Sequence, residues 1–322
     1  MMLPRLHFAH LPTPIEALPR LSAALAGPKL LVKRDDQTGL AFGGNKTRKL
    51  EFLLAEAKES GAQTLITAGA VQSNHCRQTA AAANRFGFAC TLVLVGDRPE
   101  NPSGNFLLDQ FLGSEIIWAG KSDRDAVLEQ TFEDLLDKGK KPSLIPYGGS
   151  NVRGAAAYAY AVQELLEQET NPDYIVFASS SGGTQAGLVV GARMFGYNGR
   201  VLGISIDNKA QELRERVATL AGDTADELGD DEIFLEGEIL VNDSYLGAGY
   251  GVMGEPEAEA LKLFARYEGL LLDPVYTARA AAGLIDLIRN GFFHVDQTIL
   301  FWHTGGTPAL FANPYWETLV PE

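Results

Sequence analysis

Cysteine is almost missing from this chain. Cys76 and Cys90 are its two, and they lie far outside any C-x-x-C spacing. Two reduced, buried thiols in a cytoplasmic protein are therefore expected, and no metal. Long apolar runs are also missing, so no segment reads as a bilayer span and no membrane partner is expected. The opening stretch MMLPRLHFAHLPTPIEALPR has no continuous apolar core and carries four prolines, which excludes a signal peptide from its reading. Positive charge is scarce: 27 Lys and Arg stand against 41 Asp and Glu, a formal charge of -14. Such a balance argues against nucleic acid and anionic membranes, so an anionic ligand needs a local site of backbone amides or a few placed cations. What remains is ordinary globular composition, 46% hydrophobic and 21% charged, in 322 residues. That length buries a sizeable core and suits two domains.

Short β-rich runs alternate with helical patterns. The runs are KLLVK, TLITAG, TLVLVG, EIIWAG, SLIPYGG, YIVFASSS, RVLGISID and TILFWHTGG, with helical spacing between them, as at Leu50, Leu53, Leu54 and Ala57. The alternation predicts an α/β protein with mostly parallel, doubly covered sheets. Several strands end in Gly or Ser runs that lead into helices, and open α/β sheets bind ligands at those carboxyl ends. The acidic stretch ATLAGDTADELGDDEIFLEGE breaks the rhythm and reads as an exposed excursion.

Residues 39–57, GLAFGGNKTRKLEFLLAEA, raise the chemical question. Gly39 and Gly44 have the spacing of a phosphate-binding P-loop, but Asn45 separates Gly44 from Lys46, so the motif is missed by one residue. Asn45 suits a helix N-cap, which places Lys46 in the first helical turn. A cation there is disfavoured, its pKa falls, and the neutral amine is the form that attacks a carbonyl. The alternative is a surface lysine in a basic cluster with Arg48 and Lys49, and spacing alone favours that alternative.

Further anion and proton sites stand downstream. In YIVFASSSGGTQAGLVVGA, Ser181, Gly182, Gly183 and Thr184 put small residues where amides close on an anion at a helix start. No lysine is present, so the loop suits a phosphate monoester already fixed in a cofactor; a tight turn packed for small residues is the alternative. Ser73, Asn74 and His75 open an alanine-rich helix after a strand, an arrangement suited to a carboxylate or phenolate oxygen. A plain N-cap and a core histidine are the alternatives there. Tyr250 in LGAGYGVMG and Tyr276 in LLLDPVYTARAAAGL, the latter at a strand-to-helix junction, pass a proton or simply pack. FWHTGGTPALF reads as a strand ending at His303-Thr304-Gly305-Gly306, then a helix with Pro308 near its start.

Together these stretches resemble one family, the pyridoxal-phosphate-dependent D-cysteine desulfhydrases and 1-aminocyclopropane-1-carboxylate deaminases. The resemblance spans nearly the whole chain, from LPTPIEALPRLS and VKRDD through GGNKTRKLEFL, TLITAGAVQSNHCRQTAA, SSSGGTQAGL, GYGV and LLDPVYT to HTGGTPALF. It implies a fold type II α/β enzyme, with pyridoxal phosphate between two open, mostly parallel sheet domains. The large domain is then 1–47 with 156–322 and the small one 48–155, in a homodimer acting on a small amino acid. The resemblance makes Lys46 the residue that carries the cofactor, Ser181, Gly182, Gly183 and Thr184 its phosphate loop, and Asn74 and Thr304 its ring contacts. Catalytic roles fall to Lys46, Ser73, Tyr250 and Tyr276, and substrate contacts to Ser73, Asn74, His75 and Thr277. The P-loop reading, and with it ATP or GTP, recedes.

Two positions separate the activities within the family. The deaminases carry Tyr-Glu where this chain has Tyr276-Thr277, and His-Leu-Gly-Gly where it has His303-Thr304-Gly305-Gly306. A glutamate near the pyridine nitrogen keeps it protonated and deepens the electron sink; threonine leaves a shallower one, sufficient when a good leaving group departs from the β-carbon. The resemblance thus implies D-cysteine desulfhydrase activity, ahead of L-cysteate or another β-substituted amino acid, and ahead of cyclopropane opening. It has Lys46, or Tyr276 with Ser73, remove the α-proton, and Tyr250 or Tyr276 protonate the thiolate. A non-catalytic cofactor-binding protein is the reading from a different class.

Overall fold

Two sheets organise the chain in the computed structural model, which describes residues 3–313 and 315–319. The strands are β1 (Ile15–Ala17), β2 (Lys29–Lys33), β3 (Thr64–Ala70), β4 (Ala89–Val95), β5 (Glu115–Ala119), β6 (Pro142–Leu144), β7 (Tyr174–Ser179), β8 (Arg200–Ser205), β9 (Leu240–Asn242) and β10 (Thr298–Trp302). A six-stranded sheet has the order β1-β2-β10-β7-β8-β9, and a four-stranded sheet the order β5-β4-β3-β6. Every pairing is parallel except the edge pair β1 with β2. The central strands are unbroken apolar runs because helices cover both faces: Ile175, Val176 and Phe177 of β7 and Leu300 and Phe301 of β10 are fully buried. The second sheet is inserted between β2 and β7 of the first.

The two helices that flank β7 in the chain pack closely. Helix Val152–Glu167 lies along helix Gly183–Phe195, and a Cβ at Gly191 would sit 2.7 Å from the Cα of Ala159. Glycine alone allows that approach. A buried charge cluster ties helix Asn45–Glu59 to the same region. Arg48 lies 2.8 Å from Asp35 and 2.8 Å from Glu164, whose other oxygen meets Lys33 at 2.6 Å. The Tyr158 hydroxyl donates to Asp35 at 2.6 Å. Removing one member of such a set strands the others at about 3–5 kcal/mol.

Several expectations change. The first part of ATLAGDTADELGDDEIFLEGE is no excursion; it completes helix Ala210–Leu228, with Ala218, Ala221, Thr224, Ala225 and Leu228 buried. The acids between those residues masked their helical spacing. No strand precedes Tyr276: residues 270–273 are irregular, and helix Thr277–Arg289 follows directly. SLIPYGG yields only the short β6 and a turn at Tyr147–Gly149, while TPALF is a 3-10 turn, Thr307–Phe311. β1 and β9 escape the sequence pattern because three-residue edge strands are too short to alternate. Cys76 and Cys90 are buried free thiols. Among the described residues no helix is long and apolar enough to cross a membrane.

Candidate active site

One cleft gathers residues that follow β3, β6, β7 and β10, where parallel sheets end. Lys46 enters it from the start of helix Asn45–Glu59. Gly44, at φ +124°, is the residue before that helix, so Asn45 is not the cap. The reason is a partner far along the chain: Asn45 Nδ2 donates to Thr184 Oγ1 at 3.1 Å, and its backbone N–H to the Thr304 carbonyl at 3.0 Å. These bonds fasten the lysine's helix to the loops after β7 and β10.

Lys46 is half-buried, and its amine has no hydrogen-bond partner among the described residues. Burial lowers its pKa from 10.5 to about 8. The expected direction therefore holds, with removal from water as its cause. The surface-cluster alternative does not describe the neighbours. Arg48 and Lys49 are buried, the first in the ion cluster and the second against the Gly148 carbonyl at 3.2 Å and Ser150 Oγ at 3.3 Å. Burial, then the charge on Lys46, pushes the Lys49 ammonium well below its ordinary range.

The small-residue loop after β7 closes the opposite side. Gly182, at φ +88°, turns the chain into helix Gly183–Phe195, a conformation that disfavours a side chain. Ser150 braces this loop: its Oγ lies 2.8 Å from Ser181 Oγ and accepts from the Gly183 N–H at 3.2 Å. Ser181, Gly182 and Thr184 line the cleft, with Gly183 immediately behind them. Among the described residues the buried Ser179 Oγ, also in the lining, has no partner. An orphaned hydroxyl beside a helix start is a donor set that suits a bound phosphate-bearing group.

On the β3 side, Ser73 caps helix Asn74–Phe86, its Oγ accepting from the Cys76 N–H at 3.2 Å. Its own hydroxyl proton stays available. Asn74 Oδ1 accepts from Asn105 Nδ2 at 2.8 Å and from Arg77 Nη1 at 3.3 Å. With that oxygen engaged, the Asn74 amide is left to donate. His75 lines the cleft beside it, with Nε2 2.9 Å from Thr67 Oγ1, and burial pushes its pKa well below the ordinary value.

Tyr276 lines the cleft and Tyr250 stands behind it. Their hydroxyls lie 2.5 Å apart, with the rings edge to face at 5.9 Å. Burial raises both phenol pKa values, so each keeps its proton at neutral pH. Thr304 lines the cleft, but Thr277 does not. The Thr277 hydroxyl is 1% exposed and engaged with Asp273, donating to Oδ1 at 2.8 Å and accepting from the Asp273 N–H at 2.7 Å. A substrate contact for Thr277 is therefore not what the geometry offers. Sequence reasoning missed Ser150 and Tyr147, although the Gly-Gly-Ser ending of SLIPYGGS was the same signal as at β7.

A lysine with a free amine of lowered pKa, a helix start bearing small residues and an asparagine amide are donors for an aldehyde, a phosphate and a phenolate oxygen. The comparisons agree. The chain belongs to the pyridoxal-phosphate-dependent enzyme family, whose profile matches residues 6–305. The crystal structure of an ACC deaminase homologue is 37% identical and superposes with a TM-score of 0.91, over 98% of this chain and 95% of that one. Threonine deaminase isoform 2 from Solanum lycopersicum is similar at 17% identity and a TM-score of 0.66, over 91% and 79% of the two chains. A hydrogen sulfide-producing enzyme from Fusobacterium nucleatum is similar at 16% identity and 0.64, over 92% and 96%. These last two share the fold. The protein has the two-sheet α/β architecture of fold type II, and its cofactor is pyridoxal phosphate.

Proposed function

We propose that the protein is a β-eliminating carbon–sulfur lyase that converts D-cysteine to sulfide, pyruvate and ammonia. The observation behind this choice is a cleft without an acid: among the described lining residues there is no Asp or Glu. When bound, pyridoxal phosphate supplies a carbonyl for the substrate amine and a ring that draws electrons from the α-carbon. With no carboxylate among the described lining residues, no anion there holds an extra proton on that ring. A shallow sink suits a departing thiolate better than the carbon–carbon bond of a small ring.

The side chains then divide the work. The Ser73 hydroxyl and the first amides of helix Asn74–Phe86 take the substrate carboxylate. Lys46 takes the α-proton. With its pKa near 8, about a quarter of Lys46 is free amine at about pH 7.5, against about one part in a thousand at 10.5. Tyr276 and Tyr250 retain their protons and serve as donors, so the pair protonates sulfur as the C–S bond breaks. The electron pair of the broken C–H bond becomes the new carbon–carbon double bond, and water hydrolyses the released enamine to pyruvate and ammonia. The same reading takes 1–47 with 156–322 as the large domain and 48–155 as the small one, in a cytoplasmic homodimer.

The test is a substrate panel on the purified holoenzyme: D-cysteine, L-cysteine, L-cysteate and 1-aminocyclopropane-1-carboxylate, read as sulfide, sulfite, pyruvate and 2-oxobutyrate. Sulfide and pyruvate in equal amounts from D-cysteine are expected. Faster ring opening overturns the reading, and sulfite from L-cysteate with little sulfide changes the leaving group.

A further inference from the structure

Tyr250 sits in a segment with no regular structure of its own. Residues 243–254 link β9 to helix Glu255–Glu268, and Gly247, Gly249 and Gly251 take φ of +58°, +113° and +77°. The segment's own turn bonds, Gly249 N–H to the Leu246 carbonyl at 3.1 Å and Val252 N–H to the Gly249 carbonyl at 3.3 Å, do not by themselves place a tyrosine hydroxyl 2.5 Å from its partner. Two residues elsewhere do. Arg279 Nη1 donates to the carbonyls of Gly249 at 3.1 Å and Ile206 at 2.9 Å, and Nη2 donates to Val252 at 2.7 Å. Tyr315, on the C-terminal helix Tyr315–Leu319, donates its hydroxyl to the Gly251 carbonyl at 2.6 Å. The carbonyls just before, just after and two after Tyr250 are thus all held.

The arrangement joins the two tyrosines mechanically. Arg279 lies three residues beyond Tyr276, where one helical turn puts both on neighbouring positions of a face. The helix that begins beside Tyr276 therefore also holds the loop bearing Tyr250. Arg279 is 1% exposed and its Nε is oriented by Glu257 Oε1 at 2.7 Å. The other Glu257 oxygen accepts the Gly254 N–H at 3.0 Å, closing the far end of the loop. Tyr315 packs with Ile206, Val275 and Ala312 in the apolar cluster that also takes Tyr250 and Tyr276.

We propose that Arg279 and Tyr315 are positioning residues that hold the Tyr250 loop so that its hydroxyl meets Tyr276 for proton transfer. This rests on the role given to the tyrosine pair above. A displacement of about 1 Å in such a group lowers turnover by up to about a hundredfold.

The experiment uses holoenzymes: wild type, Tyr315→Phe, Tyr250→Phe and the double variant. Phenylalanine keeps the ring in its cluster and removes only the bond to Gly251. Tyr315→Phe is expected to lower kcat for D-cysteine about tenfold, with KM changed less than about twofold. In the Tyr250→Phe background the same change is expected to alter kcat less than about twofold, because the group being positioned is gone. Amide deuterium exchange across 243–254 should quicken in Tyr315→Phe while β7 and β10 exchange as before. Arg279→Lys, which keeps a charge beside Glu257 but loses the fork, should repeat the pattern. Equal kcat losses in both backgrounds, or unchanged loop exchange, overturn the proposal. A fully active Tyr250→Phe instead removes the tyrosine pair from the mechanism, a failure that the single-variant kcat tells apart from failed anchoring.

Discussion

Replacing Lys46 with methionine is expected to stabilise the protein stripped of pyridoxal phosphate. Burial lowers the Lys46 ammonium from 10.5 to about 8. A depression of that size corresponds to about 3 kcal/mol of unfavourable free energy at neutral pH, or about 1–2 kcal/mol once screening of a half-buried amine is allowed for. The unfolded chain holds this proton up to its ordinary value, whereas the folded chain releases it near 8. Between those values the unfolded state binds more protons, so wild-type stability rises with pH there. The penalty is complete below about pH 8 and gone above about pH 10.5. Methionine keeps the aliphatic stem, titrates nothing and relieves the unfavourable charge at a helix start, an effect of the same sign.

Unfolding entropy of about 2.1 cal/mol/K per residue converts that gain into about 1.5–3 °C of melting temperature for this chain. Calorimetry of the cofactor-free wild type and variant at about pH 6.5 should show the difference, and repetition at about pH 10 should erase most of it. A variant that melts lower at neutral pH, or a gap independent of pH, refutes the argument that burial makes this amine reactive. With cofactor present the order reverses, because the wild type, which adds a covalent bond to it, gains more stability from binding it. A residue that weakens the empty fold and strengthens the loaded one is where function opposes stability.

Three further outcomes test the site. Borohydride treatment of the yellow holoenzyme should fix the cofactor on Lys46, and a peptide map placing it on Lys49 removes the assignment. Ser181→Asp should strip the cofactor, since a carboxylate in the loop repels phosphate, while Thr38→Ser, beside Gly39 of the near-miss P-loop and keeping the hydroxyl that bonds Gly44, should leave it bound; equal loss measured by absorbance means the phosphate lies elsewhere. Thr277→Glu should destabilise by about 2–4 kcal/mol, because it buries a second carboxylate against Asp273, and an unchanged melting temperature contradicts the engagement seen between these two side chains.

The parts of the fold that were legible are those whose cause is local. β7 and β10 announce themselves because burial on both faces demands apolar residues at every position, and the Gly and Ser after them mark where the chain must turn sharply. Ser181 and Thr304 lie at those turns, and Lys46 and Asn74 stand at helix starts marked by the same kinds of small or polar residue. The charges of Arg48 and Lys49 misled for the opposite reason: what buries them comes from Asp35, Glu164, Gly148 and Ser150, distant in sequence. Asn45 is the same case, a residue whose type suits a cap but whose side chain is engaged by Thr184 across the cleft.

Thr277 and Arg279 show two different limits. Asp273 stands four residues before Thr277, so that pairing was readable as a local turn, and the comparison with the deaminase pattern diverted attention from it. Arg279 was not readable at all. Apart from Glu257, its acceptors are backbone carbonyls, of Ile206, Gly249 and Val252, and a carbonyl has no residue type. Any sequence at those positions offers the same oxygen, so nothing in the glycine-rich loop betrays the arginine that holds it. The glycines that let the loop present Tyr250 leave it with only two turn bonds of its own, and further anchoring comes from a helix and from Tyr315. For this reason the residues that line the cleft were its easier half to find, and the residues that hold its loops required coordinates.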